Sequence, residues 1–301
     1  MAILIAEGSR LEAEINMMKK TNQEMMEKAK PYQIRWDRCT NISTGMYILV
    51  FILVWIMFIT LYLGNIFLFF FLLVITVVIL YYSTLITKNG EKKYGINARK
   101  FYKNMYWKGE IDAKESGYIG EQETLKELLN LNSKYQIIYG IPIDCMNINQ
   151  RNRKCEIDFM VFGPNGIFII ENKYMNGLFE GNAKYDRDFK RDKRGNYGET
   201  LPPGKERNPV RQVLRQMSIL KDLLTKNNIN CFINPIAYFS DPDAELNIQN
   251  DTKAKILLAG EDDIVSYIEN FHGISVNSFL SERILMFMKE YLDNNKSASL
   301  D

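Results

Sequence analysis

A long uncharged segment in the first third of the chain constrains the fold more than any other feature. No Asp, Glu, Lys or Arg occurs between residues 41 and 87, and Gly64 and Asn65 divide this run into two apolar halves, residues 42–63 and 66–86. A hydrocarbon core about 30 Å thick needs roughly 20 helical residues, so each half is long enough to span a bilayer. Gly-Asn favours a tight turn between the halves. The segment predicts a transmembrane helical hairpin, and a buried apolar hairpin in a soluble protein is the alternative.

Basic residues flank the apolar segment on its two outer sides. Arg35 and Arg38 precede the first half, whereas Lys88, Lys92 and Lys93 follow the second. Cytoplasmic segments next to a span carry an excess of Lys and Arg. We therefore predict a multi-pass membrane protein with two spans whose termini both lie in the cytoplasm. A transport function is disfavoured, because spans without a charged residue offer no ion pathway.

An amphipathic pattern precedes the spans. Its apolar positions recur at alternating steps of four and three, with one asparagine among them: Leu11, Ile15, Met18, Asn22, Met25 and Ala29. This spacing predicts a helix, and Pro31 is expected to end it. The pattern fits a homo-oligomer in which this helix pairs with a second copy as a coiled coil. A helix that lies on the membrane surface fits the same pattern.

The composition excludes several kinds of site. The formal net charge is +2, so the chain is not a strongly basic protein that coats nucleic acid. The four cysteines form no C-x-x-C pair, which excludes a zinc ribbon and a thioredoxin-like motif. The single histidine, His272, excludes sites that need two imidazoles. Carboxylate and lysine chemistry remains.

The second half of the chain alternates between helical and strand-like patterns. Two β-rich runs flank Gly163-Pro-Asn-Gly166, whose residues favour a tight turn, so they predict an antiparallel hairpin. The predicted elements are a helix at 121–131, strands at 135–141, 154–162 and 166–173, a helix at 209–224, strands at 233–239 and 255–258, and helices at 262–271 and 279–292. This order, αβββαββαα, predicts a mixed α/β domain.

Charged residues interrupt the apolar strands of the predicted hairpin. Strand alternation places Ile157, Phe159 and Val161 on one face of the first strand and Glu156, Asp158, Met160 and Phe162 on the other. Glu171 and Lys173 share a face of the second strand, and antiparallel pairing brings Asp158 opposite Glu171. Two carboxylates on adjacent strands suit Mg²⁺, and Lys173 would reach water activated there. The alternative is a salt bridge at the end of the sheet.

Several motifs in this half of the chain resemble a known domain family. They are Gly117-Tyr-Ile-Gly-Glu121 at the start of a helix, Glu156-Ile-Asp158 in a strand, Gly166-Ile-Phe-Ile-Ile-Glu-Asn-Lys173 in the next strand, Gly177 soon after, and Asn208-Pro-Val-Arg-Gln212 at the start of a later helix. Their order and spacing resemble the NERD domain, the nuclease-related domain, which is similar to the PD-(D/E)XK nuclease superfamily. The resemblance covers roughly residues 117–239, under half of the chain.

The resemblance implies a restriction-endonuclease-like mixed sheet flanked by helices, with a defined catalytic set. By this likeness Asp158 and Glu171 are metal ligands for Mg²⁺ and Lys173 is the catalytic lysine. Glu121 completes or orients the metal site, and Gln212 is the helix residue that approaches it. Asn172 departs from the small or apolar residue common between the acid and the lysine, but strand alternation directs it to the opposite face. No helicase-like or kinase-like segment accompanies the domain.

A basic and aromatic loop lies between Gly177 and Asn208. Its basic residues are Lys184, Arg187, Lys190, Arg191, Lys193, Arg194, Lys205 and Arg207, and its aromatic residues are Tyr185, Phe189 and Tyr197. Such residues can hold phosphates and stack bases. Acidic residues dilute the charge of the loop, namely Asp186, Asp188, Asp192, Glu199 and Glu206. A solvated surface loop is therefore the alternative to DNA contact.

These predictions divide the chain into five segments. They are an amphipathic N-terminal helix (1–40), the transmembrane hairpin (41–88), a juxtamembrane helical linker (89–116), a NERD nuclease-like domain (117–275), and a C-terminal helix with a polar tail (276–301). The expected function is a membrane-anchored Mg²⁺-dependent nuclease that hydrolyses phosphodiester bonds, with DNA as the expected nucleic acid. The alternative is a non-catalytic membrane scaffold whose nuclease-like domain binds nucleic acid or a protein partner. The lipid bilayer and a second copy of the chain are the other expected partners.

Overall fold

A computed structural model of the protein describes residues 1–6, 10–146, 152–185, 190–193, 196–199 and 208–297. The chain forms two compact units. One unit contains Met1–Glu14 and Asp112–Asp301, and the other contains Ile15–Ile111. The second unit is therefore inserted into the first in sequence.

Two long helices joined by a tight turn dominate the inserted unit. Helix α1 is Arg10–Tyr62, and helix α2 is Ile66–Gly90. Gly64 adopts the left-handed conformation with φ +74°, and the Asn65 side chain caps α2 by accepting a hydrogen bond from Leu68 N at 3.1 Å. Both helices are long and apolar enough to cross a membrane. The predicted pair of apolar helices and the turn between them are confirmed.

Pro31 lies inside α1 and does not end it. The prediction of a separate helix that stops before the first span is therefore wrong. A proline in a helix interior removes one backbone hydrogen bond and costs about 3 kcal/mol when nothing compensates. Beside it, Ala29 is fully buried and the Tyr32 ring lies 5.9 Å from the Phe101 ring.

The apolar seam with alternating steps of four and three is covered within one chain. Ile15, Met18 and Ala29 are buried. Asn22 Nδ2 donates a hydrogen bond to Tyr106 O at 3.0 Å, and Asn22 Oδ1 accepts one from Tyr106 N at 2.7 Å. Self-association through this seam stays a prediction, and a second copy would have to replace these contacts.

Hydroxyl groups and a glycine hold α1 against α2. Ser43 Oγ and Ser83 Oγ lie 2.7 Å apart, and Thr87 Oγ1 donates to Ser43 Oγ at 2.8 Å. A Cβ atom added to Gly90 would lie 2.8 Å from Cys39 Cβ, which is too close for a side chain. The glycine therefore permits the close approach of the two helices.

The predicted linker, residues 89–116, is helical as expected. It contains a π-helical turn at Glu91–Gly95, helix α3 at Ile96–Lys103 and the start of helix α4 at Lys108–Leu128. A Cβ atom added to Gly95 would lie 3.3 Å from the Trp36 ring of α1. The close helix contact at Gly90 thus continues through the π-helical turn.

The other unit is built on two β-sheets. Its strands are β1 (Ile3–Ala6), β2 (Gln136–Met146), β3 (Asn152–Gly163), β4 (Gly166–Lys173), β5 (Gly177–Asn182), β6 (Lys190–Lys193), β7 (Asn196–Glu199), β8 (Ile233–Phe239), β9 (Ala244–Gln249) and β10 (Lys255–Leu258). The larger sheet has the order β1-β2-β3-β4-β8-β10, and the smaller has the order β7-β6-β5-β9. In the larger sheet β2, β3 and β4 are antiparallel, whereas β1 runs parallel to β2, and β8 runs parallel to β4 and β10.

Helices cover both faces of the larger sheet. Besides α4 they are α5 (Pro209–Lys226), α6 (Ile264–Glu269) and α7 (Ser278–Ser297). Side chains of α5 and α7 pack in one core cluster, and those of α4 and α6 pack in another. The predicted α/β fold, a mixed sheet flanked by helices, is confirmed. Helix α7 continues beyond its predicted end at Leu292 into the segment expected to be a polar tail.

The predicted hairpin is present, and strands β8 and β10 coincide with two predicted strands. β3 and β4 pair from Phe159 with Ile170 to Gly163 with Gly166. The short strands β5, β6, β7 and β9 were not predicted. Among them β5 and β9 pair in parallel, so each depends on a partner distant in sequence.

Strand β1 corrects the prediction for the first 40 residues. That segment is predicted to be helical, but Ile3–Ala6 is a strand, and its Leu4 pairs with Ile137 of β2. Ile3 N also donates a hydrogen bond to Tyr135 O at 3.0 Å. The strand forms because β2 offers it an edge, and nothing in the local sequence specifies this pairing.

Candidate active site

The candidate site lies where β3 and β4 separate. The last backbone pair of this ladder joins Phe159 to Ile170, and the register places Asp158 opposite Glu171 one step further. At this step a side chain, not a backbone oxygen, accepts the hydrogen bond between the strands, because Asn172 N donates to Asp158 Oδ2 at 2.7 Å. The two carboxylates that the sequence singles out therefore lie on adjacent strands, as expected.

The sheet is irregular at Asp158. In the ladder between β2 and β3, Tyr139 pairs with Phe159 and Ile141 pairs with Ile157. Gly140 and Asp158, which lie between these pairs, are not paired with each other. Gly140 has φ +71°, a conformation that favours glycine. Ile157 packs in the core cluster that contains Met160, whereas Phe159 packs in the other. The prediction that Ile157 shares a face with Phe159 is wrong, because the strand turns over at Asp158.

Glu171 is held on both of its carboxylate oxygens. Only 1 % of the residue is exposed. Lys173 Nζ donates to Glu171 Oε1. Gln216 Nε2 of α5 donates to Glu171 Oε2 at 2.7 Å and to the backbone oxygen of Glu156 at 2.8 Å. Strand β4 and helix α5 thus fix the position of this carboxylate together.

The cap of α5 explains how its glutamines reach the site. Asn208 Oδ1 accepts a hydrogen bond from Val210 N at 3.0 Å, and Pro209 occupies the first turn, where no backbone donor is needed. The helix therefore starts at a defined residue, and side chains four residues apart lie on one face. Gln212 lines the site and Gln216 touches Glu171 one turn later.

Glu121 lies on α4, which packs on the face of the larger sheet opposite to α5. Its Oε2 accepts a hydrogen bond of 2.6 Å from Tyr139 OH of β2. Gln122 Nε2 donates to the same hydroxyl at 3.3 Å. At the residue directly before Glu121, a Cβ atom added to Gly120 would overlap the side chain of Tyr174. The second glycine of the Gly-Tyr-Ile-Gly-Glu motif therefore lets α4 approach the end of β4.

Asn172 points away from Glu171, as strand alternation predicts. Its Oδ1 accepts a hydrogen bond from Thr124 Oγ1 of α4 at 3.1 Å, and both residues are buried. The polar residue between the acid and the lysine thus has a structural partner on the opposite face. It fastens the end of β4 to α4 and leaves the carboxylate face of the strand unchanged.

The electrostatics of the site favour an added positive charge. Burial, followed by the charges of Glu171 and Glu121, raises the pKa of Asp158 well above its ordinary value, although Lys173 acts in the opposite direction. Burial lowers the pKa of Lys173, but Glu171 and Asp158 more than offset this effect, so that its pKa is raised. Three carboxylates thus share one ammonium group, and ionised Asp158 is disfavoured without a further cation.

A cavity of about 710 Å³ opens over these groups. All the residues that the sequence predicts for the site line it, namely Glu121, Asp158, Glu171, Lys173 and Gln212. Leu11, at the start of α1, also lines it, and nothing in the sequence links that residue to the site. Gln216 was missed as well. Its spacing of four from Gln212 on a predicted helix is the signal that could have found it.

The donor set suits a Mg²⁺ ion that keeps much of its water. Within the described residues, no group of three or more His, Cys, Asp or Glu side chains is arranged to hold a metal ion. Asp158 and Glu171 are the two carboxylates on adjacent strands that could hold Mg²⁺ as a pair. Mg²⁺ commonly binds through one or two carboxylates, with water and phosphate oxygens completing its coordination. The unbalanced negative charge around Asp158 fits such a hard cation.

The structure describes only part of the basic and aromatic loop. Arg187, Phe189, Arg194, Lys205 and Arg207 lie outside the described residues. Lys184 Nζ lies 5.7 Å from the centre of the Tyr185 ring, a cation–π arrangement within one chain. The prediction that this loop contacts DNA stays a prediction.

The comparisons with known proteins concern this same region. Residues 116–240 match the family model of the nuclease-related domain, NERD. No curated protein and no solved structure matches the chain. The matched segment begins within α4 and ends directly after β8, so it contains all five predicted site residues and excludes β1. The chain therefore carries a nuclease-related domain at residues 116–240.

Proposed function

We propose that this protein is a Mg²⁺-dependent nuclease that is anchored in a membrane by its apolar hairpin and acts on DNA on the cytoplasmic side. One observation carries the proposal. In a nuclease-related domain, Asp158, Glu171 and Glu121 bring excess negative charge to the wall of an accessible cavity, with Lys173 beside them.

Each side chain has a chemical role in this proposal. Bound Mg²⁺ supplies Lewis-acid polarisation of a phosphate ester and activation of water. Asp158 and Glu171 would hold the ion, and Lys173 would stabilise negative charge that develops on the phosphate. Glu121, oriented by Tyr139, adds to the negative field at the metal position. Gln212, on the cavity wall, would contact the substrate or its water.

Two features support a membrane location with both termini on one side. Only 11 % of the residues in the most apolar window of each long helix are buried, whereas a core helix of a soluble protein is mostly buried. Strand β1 precedes these helices and pairs with β2, which follows them. That pairing requires an even number of crossings, as two spans provide. Arg35, Arg38 and the lysines after α2 favour the cytoplasmic side for both ends.

A non-catalytic scaffold is the second candidate function. In that case the nuclease-related domain binds nucleic acid or a protein at the membrane and cleaves nothing. The observation in its favour is that both oxygens of Glu171 already have protein partners, Lys173 and Gln216. A carboxylate held in this way is stable without a metal ion.

A cleavage assay with the full chain tests the choice. The detergent-solubilised protein is incubated with plasmid, linear duplex and single-stranded DNA and with RNA, in Mg²⁺ and then in chelator. A nuclease cuts at least one substrate in Mg²⁺ only, and Asp158→Asn abolishes the cut. The full chain is needed, because a fragment that begins after the hairpin lacks β1 and leaves the edge of β2 unpaired. A wild-type protein that binds nucleic acid but cuts none supports the scaffold.

A further inference from the structure

Gln216 joins the two strands that carry the candidate metal ligands. Its Nε2 donates to Glu156 O on β3 at 2.8 Å and to Glu171 Oε2 on β4 at 2.7 Å. Glu156 lies two residues before Asp158, beyond the last backbone pair between β3 and β4. The amide of Gln216 therefore bridges the strands where their own ladder has ended.

The contacts of Gln216 also determine how its amide group is oriented. An amide nitrogen has two hydrogens, and both of the acceptors within reach are oxygens that cannot donate in their ionised or backbone form. The reverse orientation would place the amide oxygen against Glu171 Oε2 and Glu156 O. The residue is 2 % exposed, and its Oε1 has no hydrogen-bond partner among the residues that the structure describes. In this orientation Gln216 Nε2 donates both hydrogen bonds, and the buried Gln216 Oε1 accepts none from the described residues.

Helix α5 is a rigid support for this bridge. Val213 and Leu220, which flank Gln216 by three and four residues, are fully buried in the core cluster that α5 shares with the larger sheet. Rotation of α5 would therefore displace core side chains. Because the helix is fixed, the position of the Gln216 amide fixes the distance between the backbone of β3 and the carboxylate of Glu171.

We propose that Gln216 is a positioning residue that sets the separation and orientation of Asp158 and Glu171 for Mg²⁺ binding. This inference rests on the proposed function. Gln216 acts through Glu171 Oε2 and the β3 backbone and leaves the other oxygen of Glu171 for Lys173 and the ion. Residues that orient metal ligands in this way commonly change metal affinity or activity by about 10-fold to 100-fold when they are replaced.

Two substitutions remove the bridge in different ways. Gln216→Met keeps the length and approximate volume of the side chain but removes both donors. Gln216→Asn keeps the amide but withdraws it by about 1.5 Å, the length of one carbon–carbon bond, so it cannot reach both acceptors. If the methionine variant fails to fold, the asparagine variant still tests the inference.

Thr124→Val is the matched control. Thr124 is buried like Gln216 and donates one hydrogen bond to the neighbouring residue of β4, Asn172, on the opposite face of the strand. Its loss removes a buried bond between a helix and the end of β4 without touching the carboxylates. Any general loosening of β4 should therefore appear in this control as well.

The experiment measures Mg²⁺ binding without relying on catalysis. Thermal melts of the full chain in detergent are recorded across a Mg²⁺ titration, and cleavage is followed across the same titration. The half-saturating Mg²⁺ concentration should rise about 10-fold to 100-fold in both Gln216 variants, in both readouts. In Thr124→Val the melting temperature without metal should fall while the half-saturating concentration stays that of the wild type.

The outcomes separate this inference from the proposed function. If the wild type responds to Mg²⁺ and both Gln216 variants respond at the same concentration, the positioning role is refuted and the nuclease proposal stands. If Thr124→Val shifts the Mg²⁺ response as much as the Gln216 variants do, the effect is general loosening, which also refutes the role. If the wild type neither responds to Mg²⁺ nor cleaves, the proposed function fails and the inference fails with it.

Discussion

Asp158→Asn should stabilise the metal-free protein at neutral pH. Asn has the shape of Asp, and its side-chain oxygen can still accept the hydrogen bond from Asn172 N. The substitution removes the negative charge of the Asp158 carboxyl group, whose pKa is raised by burial, by Glu171 and by Glu121. The folded protein disfavours that charge, so its removal should favour folding unless a cation is bound.

The magnitude follows from Coulomb's law. Opposite residues on antiparallel strands have Cβ atoms about 5 Å apart, and two unit charges at that distance repel by about 3 kcal/mol at an effective dielectric constant of about 20. Attraction between Asp158 and Lys173 cancels much of this repulsion from Glu171. Glu121 and burial remain, which leaves a net gain of about 1–2 kcal/mol, or about 3–6 °C for a unit of this size.

The pH dependence gives this prediction a second signature. A raised pKa means that the folded state binds the Asp158 proton more tightly than the unfolded state does. Wild type and variant should therefore have equal stability below the ordinary value of 3.8, where both carry no charge at this position. As the pH rises through the raised pKa, the wild type should become progressively less stable than the variant.

Thermal melts of the full chain in detergent and chelator, from about pH 2 to about pH 8, measure both effects. Asp263→Asn is the control, because a hydrogen bond from Ser266 lowers the pKa of Asp263. Its ionised form stabilises the fold above its ordinary pKa, and this contribution is lost as the pH falls through the lowered value. The control should thus have the opposite sign. If Asp158 were only the structural partner of Lys173, Asp158→Asn would lower stability by about 1 kcal/mol or more, and that result would refute the reasoning.

Three further predictions concern the lysine, a glycine contact and the topology. Lys173→Met should keep the Mg²⁺-induced rise in melting temperature and lose cleavage by about 100-fold or more, and retained cleavage would exclude a catalytic lysine. Gly120→Ala should destabilise the protein by about 1–3 kcal/mol in denaturant melts because its Cβ overlaps Tyr174, whereas Gly45→Ala, with open space around it, should not. A cysteine at either terminus should not react with a membrane-impermeant reagent on intact cells, whereas Asn65→Cys should react, and labelling of a terminus would contradict the topology.

The parts of the fold that depend on neighbouring residues are readable from the sequence. Strands β8 and β10 match their predictions, because each is a short β-rich run bounded by turn residues. The hairpin of β3 and β4 is specified by its own turn and by strand alternation. The antiparallel register set by that turn brings Asp158 opposite Glu171. The core of the candidate site was therefore predictable without a structure.

The remaining features depend on contacts between distant segments. Helix α1 continues through Pro31, and the adjacent Tyr32 packs on Phe101, a residue that no local pattern pairs with it. Ile157 changes face because Gly140 of the neighbouring strand allows an irregularity. Leu11 lines the cavity although residues 15–111 separate it in sequence from the other lining residues. Propensity and periodicity describe a segment in isolation, so they cannot reveal these contacts.

The position of β1 has a consequence for the order in which the protein is made. Leu4 pairs with Ile137, so β1 leaves the ribosome long before its partner exists. At a synthesis rate of about 5–20 residues per second, the delay is roughly 10 s. During that interval the two apolar helices are completed while the Ile3–Ala6 segment has no sheet to join. The larger sheet therefore gains its first strand in sequence only after β2 has been synthesised. A ribosome that stalls within α3 or α4 leaves the two apolar helices with an unpaired β-strand segment before them.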